Sequence, residues 1–299
     1  MVKTAYVEKL RLNQHNKDML VRINSIIEDY SKQGYRLTLR QLYYQLVSRA
    51  VIPNNVKEYA KLSSLLTHGR MAGIVDWDAI EDRLRVPDKP ASWDAPQEII
   101  KSAASQYRRD RMEGQKVHIE VWVEKDALSG VLKRITHKFG VDLMVNRGYS
   151  STTAMHDAYK RFQEAWDDEK KVIVLYLGDH DPSGLDMVRD IRKRIDTFFG
   201  EPTDDDNLEV VRVALTGGQI KQYNPPPNPA KRSDPRAVKY IEQFGNQSWE
   251  VDALPPEVLN KLVTNGIVEL IDTKKFNKVL EQEEVEQKQL LKVAEEWKD

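Results

Sequence analysis

Residues 172–184 read VIVLYLGDHDPSG, and the fold follows from this stretch. Six apolar residues run unbroken to Gly178. Their length and Val/Ile content fit a strand buried on both faces, as inside parallel sheets. Asp179 and Asp181 stand two residues apart at the strand's carboxyl end, so an extended backbone points both carboxylates the same way. Pro182 and Ser183 start a helix whose apolar face is Leu185, Val188, Ile191 and Ile195. Open parallel sheets bind ligands beyond the carboxyl ends of their strands, which makes the two acids candidate ligands for a hard cation such as Mg²⁺. The competing reading is an acidic turn that caps the helix.

Upstream, KVHIEVWVEKDALSGVLKRITHKFG (116–140) reads as strand, turn and helix: the strand is 117–123 and the helix 127–139. Glu124 sits at that strand's carboxyl end. VDLMV (141–145) is another strand, followed by a helix through Trp166, and LEVVRVAL (208–215) is one more. Strands alternating with helices predict an α/β domain with a mostly parallel sheet, whose strand-end cluster is Glu124, Asp179 and Asp181. Oxygen-only donors of this kind suit Mg²⁺, and Glu124, beside two other acids, is a candidate acid or base. Farther on, YNPPPNP (223–229) is an extended loop and 236–245 a helix. Glu250 and Asp252 alternate along WEVDALPPEVL before a Pro-started helix. Capping that helix is their favoured role, and joining the acidic cluster the alternative. A charged final helix (274–299) carries Phe276, Val279, Leu280, Leu290 and Trp297 and packs on the domain or on a second subunit.

The front of the chain is helical. Residues 7–30 form an amphipathic helix with Leu10, Leu20, Ile23, Ile26 and Ile27 inward. In LTLRQLYYQLVSR (37–49), Thr38 and Gln41 make a capping box with Leu37 as a hydrophobic staple. Leu39, Leu42, Tyr43, Leu46 and Val47 make the buried face; Tyr44, about 100° further round, points away from its centre. Arg40, four residues before Tyr44, lies close enough to share a ligand with it. A second helix spans 56–71, with Ala60, Leu62, Leu65 and Leu66 inward, and 73–77 is a short strand or wing. Together these predict a winged-helix module whose second helix lies in a DNA groove, the alternative being a plain helical domain. Residues 88–96 read as a linker and 102–114 as a charged helix or connector. Two domains follow, 1–112 and 113–299, the second with a helical extension from about residue 225.

The 299 residues carry 46 basic and 47 acidic side chains, unevenly placed: residues 1–112 have net charge +6 and the remainder −7. A basic front ahead of an acidic rear fits a nucleic-acid reader joined to a metal-binding domain. There is no cysteine, which excludes disulfides, thiolate zinc sites and cysteine nucleophiles. No G-x-x-x-x-G-K-[ST] loop is present for ATP hydrolysis. No apolar run approaches a membrane span and no signal-peptide core opens the chain. The expectation is a soluble protein of the cytoplasm, nucleoid-associated or in a host cell, without membrane partners. Tyr44 is the one nucleophile the pattern favours, with Arg40 to orient a phosphate bidentately.

These motifs together resemble a known family. VEKDAL (123–128) and GDHDPSG (178–184) resemble the two signature motifs of the Toprim domain. LTLRQLYYQL resembles the R-[DE]-[IL]-[YF]-Y segment in the winged-helix (CAP-like) domain of topoisomerase VI A subunits and the meiotic double-strand-break transesterases. NRGYSS (146–151) resembles the G-K-G-Y-P element between the Toprim motifs. The likeness covers roughly residues 1–220 and is closest to compact stand-alone relatives on phages and other mobile elements. It departs at Gln41, where an acid is usual, and at Arg147-Gly148-Tyr149-Ser150, where Lys-Gly-Tyr-Pro is usual.

The resemblance implies a catalytic Tyr44 assisted by Arg40, with Glu124, Asp179 and Asp181 as Mg²⁺ ligands. It implies a homodimer in which each tyrosine works with the metal site of the other protomer and becomes linked to a 5′ DNA end. Strand passage requires a separate ATPase subunit. Lys61, His68, Arg70, Lys125 and Arg147 are the candidate contacts to double-stranded DNA. The expected activity is Mg²⁺-dependent DNA cleavage of the type IIB topoisomerase kind. Two other functions compete with it: a hydrolytic Toprim nuclease with a structural tyrosine, and a non-enzymatic DNA-binding module.

Overall fold

The computed structural model describes residues 5–6, 12–81, 90–146, 148 and 150–297. Three helices come first: α1 (Gln14–Lys32), α2 (Leu39–Ser48) and α3 (Val56–Met71). Each is started by a side chain that accepts an otherwise orphaned amide, from Asn13, Thr38 and Asn55 respectively. The Thr38–Gln41 capping box is present in both directions. Because Asn13 is the cap, α1 begins at Gln14 rather than at residue 7, and it runs two residues past Tyr30; residues 7–11 lie outside the described residues. On α3, Leu62, Leu66 and Gly69 face inward, whereas Ala60, expected inside, is exposed. The strand or wing expected at 73–77 is instead a turn leading into a 3-10 turn (Trp77–Ala79), after which Ile80 bridges Leu37.

After α4 (Pro96–Gln106), β1 (Val117–Val123) opens a regular alternation: α5 (Ser129–Phe139), β2 (Asp142–Val145), α6 (Thr152–Asp167), β3 (Lys171–Leu177), α7 (Pro182–Phe199) and β4 (Leu208–Ala214). The four strands form one sheet in the order β2-β1-β3-β4, and every pairing is parallel. This is the α/β sheet expected from the alternation. Along β3, Ile173, Leu175 and Leu177 enter one core with α5 and the later helix Pro256–Val268, while Val172, Val174 and Tyr176 enter another with α6 and α7. The central strand is therefore buried on both faces, which is why its sequence shows no alternation. The chain leaves β1 to one side for β2 and returns on its other side as β3. The carboxyl ends of β1 and β3 thus flank the point where strand order reverses, the place where open sheets take ligands.

The tail completes the rear module: α8 (Gly217–Tyr223), β5 (Asn228–Pro229), α9 (Ala237–Phe244), β6 (Gln247–Ser248), α10 (Pro256–Val268) and α11 (Thr273–Glu296). β5 and β6 pair antiparallel, so the proline-rich loop ends as a two-residue strand. The segment before residue 112 is tied to α11: Tyr107 donates to Glu286 at 2.6 Å and Arg111 pairs with the buried Glu283 at 2.5 Å. No helix among the described residues is long and apolar enough to cross a membrane.

Candidate functional site

The acidic turn after β3 is fixed by a pairing with a distant segment. His180 and Trp249 exchange backbone hydrogen bonds at 2.8 and 3.0 Å, an isolated antiparallel bridge. The bridge lays Asp179-His180-Asp181 beside Ser248-Trp249-Glu250. His180 turns into an aromatic group of Tyr240, Phe244 and Trp249, and its Nδ1 lies 3.0 Å from the Tyr240 hydroxyl. Arg212 of β4 clamps the turn from below, donating to the carbonyls of Gly178 (2.9 Å), Gly184 (2.7 Å) and Asp179.

Four further acidic groups surround Asp179. Its Oδ1 accepts from the Val251 amide at 2.9 Å and its Oδ2 pairs with Lys125 Nζ at 2.8 Å. Glu124, just past β1, accepts from the Asp179 amide at 3.1 Å. Asp181 accepts from the Gly184 amide (2.6 Å) and from Ser183 Oγ (2.9 Å), so it caps α7 as the competing reading proposed. Glu250 and Asp252 were expected chiefly to cap a helix; instead neither caps, and both hold cations. Arg40 Nε donates to Asp252 at 2.6 Å and its Nη2 to Glu250, while Lys125 Nζ lies 2.6 Å from Glu250 and 3.4 Å from Asp252. Burial pushes the Asp179 carboxyl up to about 7; Lys125 opposes this, and the negative charges of Glu124 and Asp252 add to it.

Tyr44 enters the same space from the front module. It is only 5% exposed, against the expectation that it turns away from the core. The reason lies outside α2: its second side packs on the 251–253 turn, whose Ala253 joins the front core, so α2 is buried all round from Gln41 to Leu46. The phenol nevertheless lines a cavity of about 570 Å³ shared with Arg40, Asp179, Asp181 and Glu250. Arg40 Nη2 lies 3.5 Å from the Tyr44 hydroxyl, and the guanidinium stands over its ring at 5.5 Å. Burial raises the phenol's pKa, with Asp252 adding to the effect and Arg40 opposing it. The resemblance implied the acids of a partner protomer; here the acids of the same chain line the tyrosine's cavity.

The donor set fits a hard cation. Of the five carboxylates, all oxygen donors, Asp179, Glu250 and Asp252 face two side-chain cations, and Lys125 Nζ already stands between these three as a positive charge. Glu124, Asp179 and Asp181 reach neighbouring strand ends, yet they do not bring one oxygen each to within 4.8 Å of one another. Among the described residues the three-residue set that does is His118, Glu120 and Asp142. Sequence reasoning missed that set, although a Glu inside the apolar strand VHIEVWV signals a buried partner. Glu120 accepts two bonds from Arg161 and one from Trp122, a closed ion pair.

Of the expected DNA contacts, Lys61 and His68 are exposed on α3. Arg70 is engaged internally: it donates to the Trp77 carbonyl at 2.6 Å and lies over the Trp77 ring. Lys125 points into the acids, and Arg147 lies outside the described residues. Comparison with models of known protein families finds no match to this chain, and comparison with curated proteins finds none either.

Proposed function

We propose that the chain is a winged-helix and Toprim protein that cuts double-stranded DNA by transesterification, with Tyr44 as the nucleophile. The observation that carries this reading is the shared cavity. A phenol with an arginine at 3.5 Å lines one wall, and Asp179 and Asp181 line another. In the reaction the Tyr44 oxygen bonds to phosphorus as the P–O3′ bond breaks. The phenolic proton passes to solvent and the departing 3′ oxygen takes a proton; Glu124, the candidate acid or base when no metal is bound, is not among the residues that line the cavity. The 5′ end stays linked to the enzyme, which conserves the bond energy for resealing. Arg40, anchored by Glu250 and Asp252, keeps positive charge beside a phenol that burial otherwise holds neutral.

Glu124, Asp179 and Asp181 would hold Mg²⁺, with Glu250 and Asp252 in reach. When bound, the ion neutralises phosphoryl charge and stabilises the leaving alkoxide. Two copies of the chain cut the two strands, in a cytoplasmic setting, and strand passage calls for a separate ATPase subunit.

The test is to incubate supercoiled DNA with protein and Mg²⁺, stop with detergent, and compare gels with and without protease. Broken DNA that enters the gel only after proteolysis is expected, and Tyr44→Phe should reduce it by roughly 10³-fold or more. The burial of Tyr44 favours a second reading, in which the acids direct hydrolysis and the tyrosine is structural. Cutting by Tyr44→Phe at near-normal rate, with no adduct from either protein, would establish that reading instead.

A further inference from the structure

Lys125 carries an inference that deepens the reading of this site as a divalent-cation site and rests on it. Its side chain is 17% exposed, turned into the protein rather than toward a nucleic-acid surface. Its ammonium touches Asp179 from one segment and Glu250 and Asp252 from another, at 2.8, 2.6 and 3.4 Å. Arg40 takes Oδ2 of Asp252 and shares Oε2 of Glu250 with the lysine. Of the oxygens that a hard cation would use, Oδ2 of Asp179 and Oε2 of Glu250 are therefore already spent on an internal positive charge. These are ammonium distances; Mg²⁺ binds oxygen at about 2.1 Å, so the acids must draw inward as the ammonium leaves. A dication and an ammonium held by the same carboxylates repel strongly in a site shielded from water.

We propose that Lys125 is the resident counter-cation of the acid cluster, and that a divalent ion binds Asp179 and Glu250 by displacing the Lys125 ammonium. The lysine keeps buried like charges tolerable when no ion is bound and sets how tightly the ion is held. A neutral residue of similar shape should then strengthen ion binding, which is the reverse of what losing a structural salt bridge or an ion-positioning residue would do.

The experiment is titration of the full-length chain with Mn²⁺, followed by electron paramagnetic resonance, for wild type, Lys125→Met and Lys125→Arg. Lys125→Met is expected to bind Mn²⁺ roughly tenfold more tightly, as loss of one nearby positive charge requires. Lys125→Arg should stay near wild type. An unchanged or weaker Kd in Lys125→Met overturns the proposal. Should that variant be too unstable to titrate, melting with and without Mn²⁺ serves instead. A larger Mn²⁺-induced rise in Tm than in wild type is expected, and an equal or smaller rise overturns the proposal. Asp179→Asn separates the two layers. If wild type binds Mn²⁺ and Asp179→Asn does not, the cation site stands whatever Lys125 does. If wild type binds none, both readings fall.

Discussion

Glu120 and Asp179 are buried acids of the same sheet, one within β1 and the other just past β3, and their surroundings treat them in opposite ways. Glu120 is 0% exposed and fully answered: Arg161 binds both oxygens at 2.7 and 2.9 Å, Trp122 adds a bond at 2.7 Å, and His118 lies at 3.2 Å. Burial works to raise its pKa, yet the bonds from Arg161, His118 and Trp122 bring it down to about 2. Asp179 is 7% exposed, has one lysine and one amide, and faces other acids, so burial wins and its carboxyl rises to about 7. One acid has its charge answered by its neighbours. The other sits where negative charge is in excess, at the reversal point of strand order. Such partly answered charge is what the proposed cation site rests on.

The sharpest way to break this contrast is to neutralise each acid in turn. Asp179→Asn should lower DNA cleavage by roughly 10²–10³-fold, the scale of losing one group that organises transition-state charge. Its urea midpoint should hold or rise, because a crowded buried charge is removed. Glu120→Gln should do the opposite. It strands Arg161 and should cost about 2–3 kcal/mol of unfolding free energy, while cleavage by the folded fraction stays within a few-fold of wild type. Equal loss of stability in both variants would erase the distinction.

Gly184 sharpens the comparison from the backbone side. A Cβ built there falls onto the carbonyl oxygen of Asp179, a close approach only glycine allows. Gly184→Ala should therefore cost about 2 kcal/mol in urea unfolding by pushing the acidic turn out of place. A glycine without such contact, Gly217, should tolerate alanine at the level of ordinary surface changes.

What could be read in the sequence was what local chemistry decides. The run ending at Leu177 is a buried strand because no polar residue interrupts it. Thr38 and Gln41 start a helix because they satisfy each other's backbone amides. The α/β sheet followed from such signals, and so did the arrival of Glu124 and Asp179 at neighbouring strand ends. Hidden were the properties set by pairings distant in the chain. Glu250 and Asp252 reach the site because Trp249 bridges His180, and nothing within WEVD announces that partner. Tyr44 is buried because α2 receives the 251–253 turn on the side that helical periodicity assigns to solvent. Lys125 in VEKDAL looks like a surface contact until three acids converge on it.

The most direct test of the electrostatics needs no substrate. In metal-free buffer the two acids should impose opposite slopes of stability on pH. Glu120 has a folded pKa of about 2, below its ordinary value of 4.5. Its contribution is complete above about pH 4.5 and is lost as pH falls toward 2. Asp179 has a folded pKa of about 7, above its ordinary value of 3.8, so the folded chain holds that proton more tightly. Its contribution falls as pH rises from about 4 to 7, by at most about 1.4 kcal/mol per pH unit. Lys125, Glu124 and Asp252 all face the group, so the slope due to Asp179 is read as a difference against a variant that lacks its carboxylate. Urea unfolding of Asp179→Asn against wild type at pH 5 and pH 7 isolates it. The stability difference should shift in favour of the variant at pH 7. A difference independent of pH would mean that Asp179 is as well answered as Glu120, and the contrast between the two acids would be gone.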